Sequence, residues 1–232
     1  MKRSGVWMSA SEAVGLVRSG QRVFIHGSAA TPVTLLRALF QRAGELKNVE
    51  LVSISTLGDI GADVPVVGES FFFNSLFVSD NIRSIVNSAY GDYVPVFLSE
   101  IPRLFEQGVL PLDVAILNVS PPDRHGFCSL GVSVDVARSA SRNAKMLIAQ
   151  VNPNMPRTHG EGNIHVDRFA ALVEVNDPLP EVDYSGSIGD CEKEIARNCA
   201  ELIDNGSTLQ MGIGAIPDAI LNALKGHKDL GV

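Results

Sequence analysis

The chain has little cysteine, no long apolar run and no block of basic residues. Each of these absences argues against one class of protein. Its three cysteines, Cys128, Cys191 and Cys199, form no C-x-x-C pair, and an odd number fits a reducing compartment better than a disulfide framework. No apolar run reaches the roughly 18 residues of a membrane span, so no membrane partner is expected. Residues 1–5 lack the apolar segment of a signal peptide. We therefore expect a cytoplasmic protein.

The charge balance argues against a nucleic-acid partner. Asp and Glu outnumber Lys and Arg by 26 to 19, which gives a formal net charge of −7, and the basic residues form no run or stripe. With 45% apolar residues among 232, the chain can bury a substantial core. The composition therefore predicts a folded, acidic protein of one or two domains.

Several common catalytic signatures are missing as well. No Gly-Lys-Ser/Thr follows a glycine-rich loop, which excludes a P-loop, and no G-x-S-x-G nucleophile elbow is present. His159 and His165 lack the helical H-E-x-x-H spacing and a third ligand cluster, so no metal site is predicted. Glu161 between them fits either an acid–base group or a solvated side chain. His26 and His227 have no partner in the sequence, which favours structural roles.

Apolar runs of strand length alternate with helical patterns, which predicts an α/β fold with an open, largely parallel sheet flanked by helices. The predicted strands cover residues 22–26, 50–54, 71–77, 113–119 and 145–151, and the predicted helices 11–18, 33–43, 81–87, 99–105 and 135–142. Thr31 is the predicted N-cap of the second helix, with Pro32 as its first residue. Residues 152–166 are rich in Pro, Gly, Asn and His, which predicts a loop.

A proline-punctuated linker around residues 176–181 divides the chain. We expect an amino-terminal domain over residues 1–180 and the incomplete beginning of a second α/β domain over residues 181–232. The second part has three predicted elements: a helix over 191–204 capped by Asp190, a strand over 208–211 and a helix over 217–225. One strand with two helices cannot enclose a core, and its unpaired edges favour association. A homo-oligomer is therefore expected.

The most informative segment covers residues 210–218, where an apolar strand is predicted to end in glycines and a helix to follow. Glycines remove the Cβ atoms that keep a ligand away from the backbone, and a helix start offers free N–H groups to a phosphate or a developing oxyanion. A tight turn without a ligand fits the same pattern. We name the predicted contact segment the glycine loop, and it consists of Gly212, Ile213, Gly214, Ala215 and Ile216.

Two further loops follow predicted strands at their carboxyl ends, where open α/β sheets bind ligands. Thr31 lies in the first, a turn of small residues that can admit a substrate anion or serve only as a helix cap. Arg124 and His125 lie in the second, where they can orient a carboxylate or a phosphate, or be the exposed polar residues of a plain turn. These three residues are the candidate substrate pocket.

Three segments together resemble one known family. They are residues 26–32 (HGSAATP), 120–131 (SPPDRHGFCSLG) and 209–218 (LQMGIGAIPD). Through them the chain resembles, essentially from end to end, the acetyl-CoA hydrolase/transferase family. Within that family the resemblance is greatest to CoA-transferases of the 4-hydroxybutyrate and butyrate–acetoacetate type.

The resemblance implies two α/β domains of the CoA-transferase fold, an active site between them, and acyl-CoA:carboxylate CoA-transferase activity. It implies that the glycine loop contacts coenzyme A or its thioester, as a substrate rather than a permanently bound cofactor. A small carboxylic acid would be the other substrate. The family nucleophile, a glutamate, would follow just after Val232, so the resemblance places no catalytic residue in this chain and implies that the chain alone is inactive. The alternatives are an acyl-CoA hydrolase, and a non-catalytic sugar-phosphate sensor or interaction module on a related fold.

Overall fold

The computed structural model describes residues 6–62, 68 and 70–231, and the chain divides into two compact units. Unit 1 comprises Met1–Glu181 and unit 2 comprises Val182–Val232. The division falls within one residue of the expected boundary. That unit 2 begins a second CoA-transferase domain stays a prediction.

Unit 1 is built on a parallel sheet. The strands of the described part are Val6–Trp7 (β1), Arg22–Ile25 (β2), Val49–Ser53 (β3), Phe71–Ser75 (β4), Gly91–Tyr93 (β5), Val114–Val119 (β6), Phe127–Ser129 (β7), Met146–Val151 (β8), Asn163–His165 (β9) and Phe169–Glu174 (β10). Eight of them form one sheet in the order β1-β10-β8-β6-β2-β3-β4-β5, and each neighbouring pair is parallel. β7 and β9 form a separate antiparallel ribbon.

Helices flank the sheet because alternate strand residues enter two separate cores. The α-helices described in unit 1 are Ala10–Val14 (α1), Val33–Phe40 (α2), Arg83–Val86 (α3), Ile101–Glu106 (α4) and Ala137–Asn143 (α5), and 3-10 turns cover Asp80–Ile82, Leu98–Glu100 and Val166–Arg168. Val114 of β6 packs in the core that contains α1 and α2 residues. The next residue, Ala115, packs in the core that contains α4 and α5 residues. All of β6 is buried, as in a central strand of a parallel sheet, and the predicted α/β fold class is confirmed.

Some elements of unit 1 differ from the sequence prediction. β10 is a largely buried strand between β1 and β8 that the sequence pattern did not predict. β9 lies in the stretch predicted as loop, so that prediction is wrong at its end, because β9 gains a partner in the distant β7. α1 begins at Ala10 because Ser9 and Glu12 form a capping box, and it already ends at Val14. The other predicted elements of unit 1 are present, with bounds shifted by up to three residues.

Unit 2 contains two helices packed on each other, Asp190–Ala200 (α6) and Ala215–Ala223 (α7), and a 3-10 turn over Ser185–Ser187. The predicted cap of α6 is wrong, because Gly189 rather than Asp190 is the N-cap. The Gly189 N–H donates to Glu192 Oε2 at 2.9 Å, so a carboxylate satisfies the amide of the N-cap residue.

The strand predicted over residues 208–211 is also wrong. In the described part of unit 2 it is reduced to one parallel bridge between Thr208 and Gly231. A strand requires a partner with several free backbone groups, and Gly231 supplies only one bridge position. α7 then begins at Ala215, two residues before its predicted start. Across residues 6–62, 68 and 70–231, no helix combines the length and the apolar character needed to cross a membrane.

Candidate functional site

The order of the strands reverses between β2 and β6. From β2 the chain continues through β3, β4 and β5 in one direction, and it then returns to the other side of β2 with β6, β8 and β10. Loops that leave two such strands diverge and open a crevice outside the carboxyl ends of the sheet, where ligands bind. Both candidate loops of unit 1 follow these strands. We name residues 26–32 and 120–131 the switch-point loops.

The loop after β2 is fixed against the loop after β3. The Ser28 N–H donates to the Ser55 carbonyl at 2.9 Å, and Ser28 has a φ of 53°, in the left-handed region. A Cβ atom on Gly27 would stand 2.8 Å from the same carbonyl oxygen. Only glycine allows the two backbones to approach this closely.

Thr31 holds this loop together and does not cap α2. The residue is 1% exposed, its hydroxyl donates to the Ser28 carbonyl at 2.7 Å, and its Oγ1 accepts the Leu57 N–H at 3.0 Å. Pro32 occupies the N-cap position and no side chain caps the helix, so the predicted N-cap is wrong. The hydroxyl is recruited by a loop distant in sequence, which a local capping pattern does not reveal. The role of Thr31 in a substrate pocket stays a prediction.

His26 is a buried link between β2 and the segment after β6. Its Nδ1 accepts the Asn118 N–H at 3.2 Å, and its Nε2 lies 2.6 Å from the Ser133 carbonyl oxygen, to which it donates in this tautomer. Burial lowers the pKa of His26 and outweighs the Ser133 bond and the nearby Asp135 carboxylate, which raise it. His26 is therefore neutral and structural, as the sequence predicts.

Asp123 organises the loop after β6. Its Oδ1 accepts the N–H groups of Phe127 and His125, both at 2.9 Å, and its Oδ2 accepts from Arg157 at 2.8 Å. The Phe127 amide is the main cause that lowers the pKa of Asp123, and the His125 amide and the Arg157 charge act in the same direction. The sequence analysis missed Asp123 and Arg157. The Asp-x-x-Gly spacing up to Gly126 is the signal of a turn closed by the Asp side chain.

Arg124 and His125 form the exposed tip of this loop. Arg124 Nε donates to His125 Nε2 at 3.0 Å, so the two side chains lie together. Among the described residues, neither has a carboxylate within ion-pair distance. Their position beyond the carboxyl end of β6 suits the binding of an anion, and that role stays a prediction.

Glu161 and His227 have structural partners, and Cys128 is buried. Burial raises the pKa of the Cys128 thiol to about 11, so this cysteine is a poor nucleophile. Glu161 forms an ion pair with Arg138. His227 Nε2 lies 2.8 Å from the Ile203 carbonyl oxygen, which agrees with a structural role. In the part of the chain that the structure describes, no three His, Cys, Asp or Glu side chains are grouped as metal ligands.

The glycine loop of unit 2 presents unpaired backbone donors. Gly214 is the N-cap of α7, with φ 125° and ψ −175°, a conformation that only glycine adopts readily. The N–H groups of Ala215 and Ile216 open the helix, and neither has an acceptor among the described residues. Pro217, the next residue, has no N–H. The Ile213 side chain is 88% exposed, so an apolar group stands beside these donors.

Comparison with known proteins identifies the family. The acetyl-CoA hydrolase/transferase N-terminal domain matches residues 5–186. The 4-hydroxybutyrate coenzyme A transferase of Clostridium kluyveri is 42% identical, over 97% of this chain and 52% of its own length. The succinyl-CoA:acetate/propanoyl-CoA:succinate CoA transferase of Fasciola hepatica is 43% identical, over 97% of this chain and 48% of its own length.

Solved structures give the same result. The 4-hydroxybutyrate CoA-transferase of Porphyromonas gingivalis is 36% identical with a TM-score of 0.75, over 97% of this chain and 53% of its own. RipA from Yersinia pestis is 31% identical with a TM-score of 0.87, over 97% of this chain and 55% of its own. The chain thus spans about half the length of the curated relatives it matches. It belongs to the acetyl-CoA hydrolase/transferase family.

Proposed function

We propose that this chain is the amino-terminal portion of an acyl-CoA:carboxylate CoA-transferase of the 4-hydroxybutyrate, butyrate or acetate type. The observation that carries the proposal is the glycine loop, in which two N–H groups at the start of α7, without an acceptor among the described residues, lie beside an exposed isoleucine. Backbone donors suit the oxygen of a thioester, and the isoleucine suits an acyl or pantetheine chain. The curated relatives of the chain are CoA-transferases, which supports this substrate class. Acyl-CoA is then a substrate, and the location is cytoplasmic.

The reaction requires a carboxylate nucleophile, which we place in residues after Val232. A glutamate attacks the acyl-CoA carbonyl and gives a mixed anhydride and the CoA thiolate. The thiolate returns to the glutamyl carbonyl, which releases the first acid and leaves a glutamyl-CoA thioester. The acceptor carboxylate attacks this thioester, displaces the CoA thiolate and forms a second mixed anhydride. The thiolate then attacks the acyl carbonyl of that anhydride, which gives the new acyl-CoA and releases the free glutamate.

The glycine loop contributes to each addition step. Every tetrahedral intermediate carries negative charge on oxygen, and the Ala215 and Ile216 N–H groups can donate to it. One well-placed donor of this kind contributes about 3 kcal/mol to transition-state stabilisation. The pocket for the carboxylic acid would include Thr31, Arg124 and His125. Thr31 would fix the shape of its loop, and Arg124 and His125 would bind the acid through charge or hydrogen bonds. Water must be excluded because it hydrolyses the anhydride.

The test uses two proteins, the 232-residue chain and a chimera in which the carboxyl-terminal remainder of the Clostridium kluyveri transferase follows Val232. Each is incubated with acetyl-CoA and butyrate, and butyryl-CoA is measured by chromatography. We expect transfer by the chimera and none by the chain alone. Butyryl-CoA formation by the chain, free of any longer contaminant, would refute the external nucleophile. A folded chimera without transfer activity would refute the proposed reaction.

Two controls separate the alternative functions. Release of CoA by the chimera at the same rate with and without butyrate indicates an acyl-CoA hydrolase. Calorimetric titration with CoA and with a sugar phosphate tests the sensor alternative, for which only the sugar phosphate should bind.

A further inference from the structure

An arginine-lined pocket of about 250 Å³ lies in unit 1 between α5 and the β7–β9 ribbon, and none of the predicted site residues lines it. Arg138 and Arg142 come from α5, and Arg168 comes from the 3-10 turn after β9. We name this space the arginine pocket. Its volume is below the roughly 300–1,000 Å³ of sites for drug-sized ligands, which suits a small anion.

The positive charges of the arginine pocket exceed its negative charges. Three guanidinium groups line it, and the only carboxylate among its lining residues is that of Glu161. Arg138 and Arg142 are four residues apart on one helix, a spacing at which like charges repel and weaken the helix. The chain as a whole carries a net charge of −7, so this concentration of arginine is opposite in sign to the rest of the protein.

The hydrogen-bonding capacity of these arginines is largely unused. Arg138 pairs with Glu161, but its Nε is buried and has no acceptor among the described residues. Arg168 donates one long bond of 3.4 Å to the Ser141 carbonyl. Within the described part of the chain, Arg142 has neither an ion pair nor a side-chain hydrogen bond. Arg142 and Arg168 are exposed and line the pocket, so their guanidinium groups are available to an anion there.

We propose that the arginine pocket binds a phosphate group, which takes the place of the Glu161 carboxylate on Arg138. Three arginines line the pocket, enough positive charge for a phosphate of charge −1.5 to −2 at neutral pH, and the planar guanidinium fits phosphate oxygens in pairs. Glu161 can be displaced because its side chain is 67% exposed, and an exposed ion pair contributes little stability. The proposal does not rest on the proposed CoA transfer.

The first test is calorimetric titration of the chain with inorganic phosphate at constant ionic strength. The double variant R142A/R168A should weaken phosphate binding about tenfold or more, since it removes two charged donors. E161Q should strengthen binding severalfold because it removes the competing carboxylate. R103A is the matched control, because Arg103 is an exposed helical arginine outside the pocket, and it should leave the affinity unchanged.

Three results would overturn the proposal: equal phosphate affinity in the parent chain and R142A/R168A, no gain in E161Q, or acetate binding as tightly as phosphate. Urea unfolding checks that each variant is folded. R142K/R168K retains the charge without the planar fork and gives a second series should the alanine variant unfold. It should weaken phosphate binding by a smaller factor, and an unchanged affinity in it, with the alanine variant unfolded, would also overturn the proposal.

The source of the phosphate is found with CoA and dephospho-CoA, which differ by the 3′-phosphate. If R142A/R168A weakens the binding of CoA but not of dephospho-CoA, the pocket binds the phosphate of CoA. If R142A/R168A weakens the binding of inorganic phosphate but not of CoA or dephospho-CoA, the pocket binds a free phosphate. Both results support a phosphate site, and neither measurement requires CoA transfer, so this proposal and the proposed function fail separately.

Discussion

The switch-point loops of unit 1 and the glycine loop of unit 2 use their backbone groups in opposite ways. In unit 1, Thr31 and Asp123 bind neighbouring amides and carbonyls, so the loops are fixed by their own chain. In unit 2, the Ala215 and Ile216 N–H groups have no acceptor in the described residues, and Ile213 is exposed. Fixed loops determine the shape of a binding site, whereas free backbone donors can form hydrogen bonds to a ligand.

This difference separates the expected effects of mutation. Changes in the glycine loop should first reduce catalysis, because the Ala215 and Ile216 N–H groups have no acceptor among the described residues. Changes at Thr31 and Asp123 in the switch-point loops should first reduce stability, because both side chains already have partners.

Gly214→Ala should have the largest effect. Gly214 adopts φ 125°, where a side chain costs about 1–3 kcal/mol, so alanine should move the Ala215 and Ile216 donors. Loss of one aligned donor costs about 10²- to 10³-fold in turnover. We expect a decrease in kcat/KM of this order in the chimera, measured as butyryl-CoA formation.

Gly226→Ala is the matched control in the same unit, because a Cβ atom there would have no neighbour within 4 Å and its φ is not left-handed. It should retain full activity. Gly212→Ala adds a methyl group only 3.5 Å from Pro217, an ordinary contact, so it should fold normally and weaken CoA binding alone. Full activity in Gly214→Ala would show that the free donors are not part of the site.

Thr31→Val tests the stability of the other region. Valine has the same shape but leaves the Leu57 N–H without a partner at a site that is 1% exposed, while the Ser28 carbonyl keeps the Thr31 N–H at 3.1 Å. A buried unsatisfied group costs about 1–3 kcal/mol, and we expect urea unfolding to show a loss of this size. Thr208→Val in unit 2 is the control, because Thr208 is exposed, and it should cost much less. An equal loss of stability in Thr31→Val and Thr208→Val would contradict the proposed difference between the two regions.

Much of the fold could be predicted, because the strands that bury both faces have a continuous apolar pattern. β6 and β8 are examples, and their predicted bounds are correct within one residue. β9 and the lost strand at Thr208 could not be predicted, since they depend on whether a distant partner is present. Strand formation is decided by pairing, and a local pattern contains only half of that information.

The candidate site was predictable where a residue acts through its backbone and unpredictable where it acts through a distant contact. The glycines at 212 and 214 mark a loop before a helix, and Gly214 has the conformation that glycine allows. Arg157, in contrast, holds Asp123 across 34 residues of sequence. No spacing rule connects two such residues, so only the folded chain reveals the pair.

His26→Gln should flatten the pH dependence of stability. Burial lowers the folded pKa of His26 below its unfolded value of about 6.5. The contribution of the neutral imidazole to folding stability is therefore complete above about pH 6.5 and is lost as the pH falls below about 6.5. The loss is at most about 1.4 kcal/mol per pH unit. Urea unfolding from pH 7.5 to 5.5 should show a smaller slope in the variant.

Asp123→Asn should give the smallest effect, and its pH dependence has the characteristic direction of a carboxylate. The Phe127 amide, with the His125 amide and Arg157, lowers the folded pKa of Asp123 below its unfolded value of about 3.9. The contribution of the Asp123 carboxylate to folding stability is therefore complete above about pH 3.9 and is lost as the pH falls through the folded pKa. Asparagine retains an oxygen for the two amides but loses the charge that attracts Arg157.

The difference in urea midpoint between the parent chain and Asp123→Asn should accordingly be constant near neutral pH and narrow below about pH 4. Asp204→Asn in unit 2 is the control, since Asp204 is exposed and no hydrogen bond to its side chain is described. A difference that does not change with pH would mean that the loop is fixed by the side-chain oxygen of residue 123, which asparagine retains, and not by the negative charge of Asp123. The loop would then need no charge of its own to keep its shape, and the contrast with the glycine loop would rest on hydrogen-bond geometry alone.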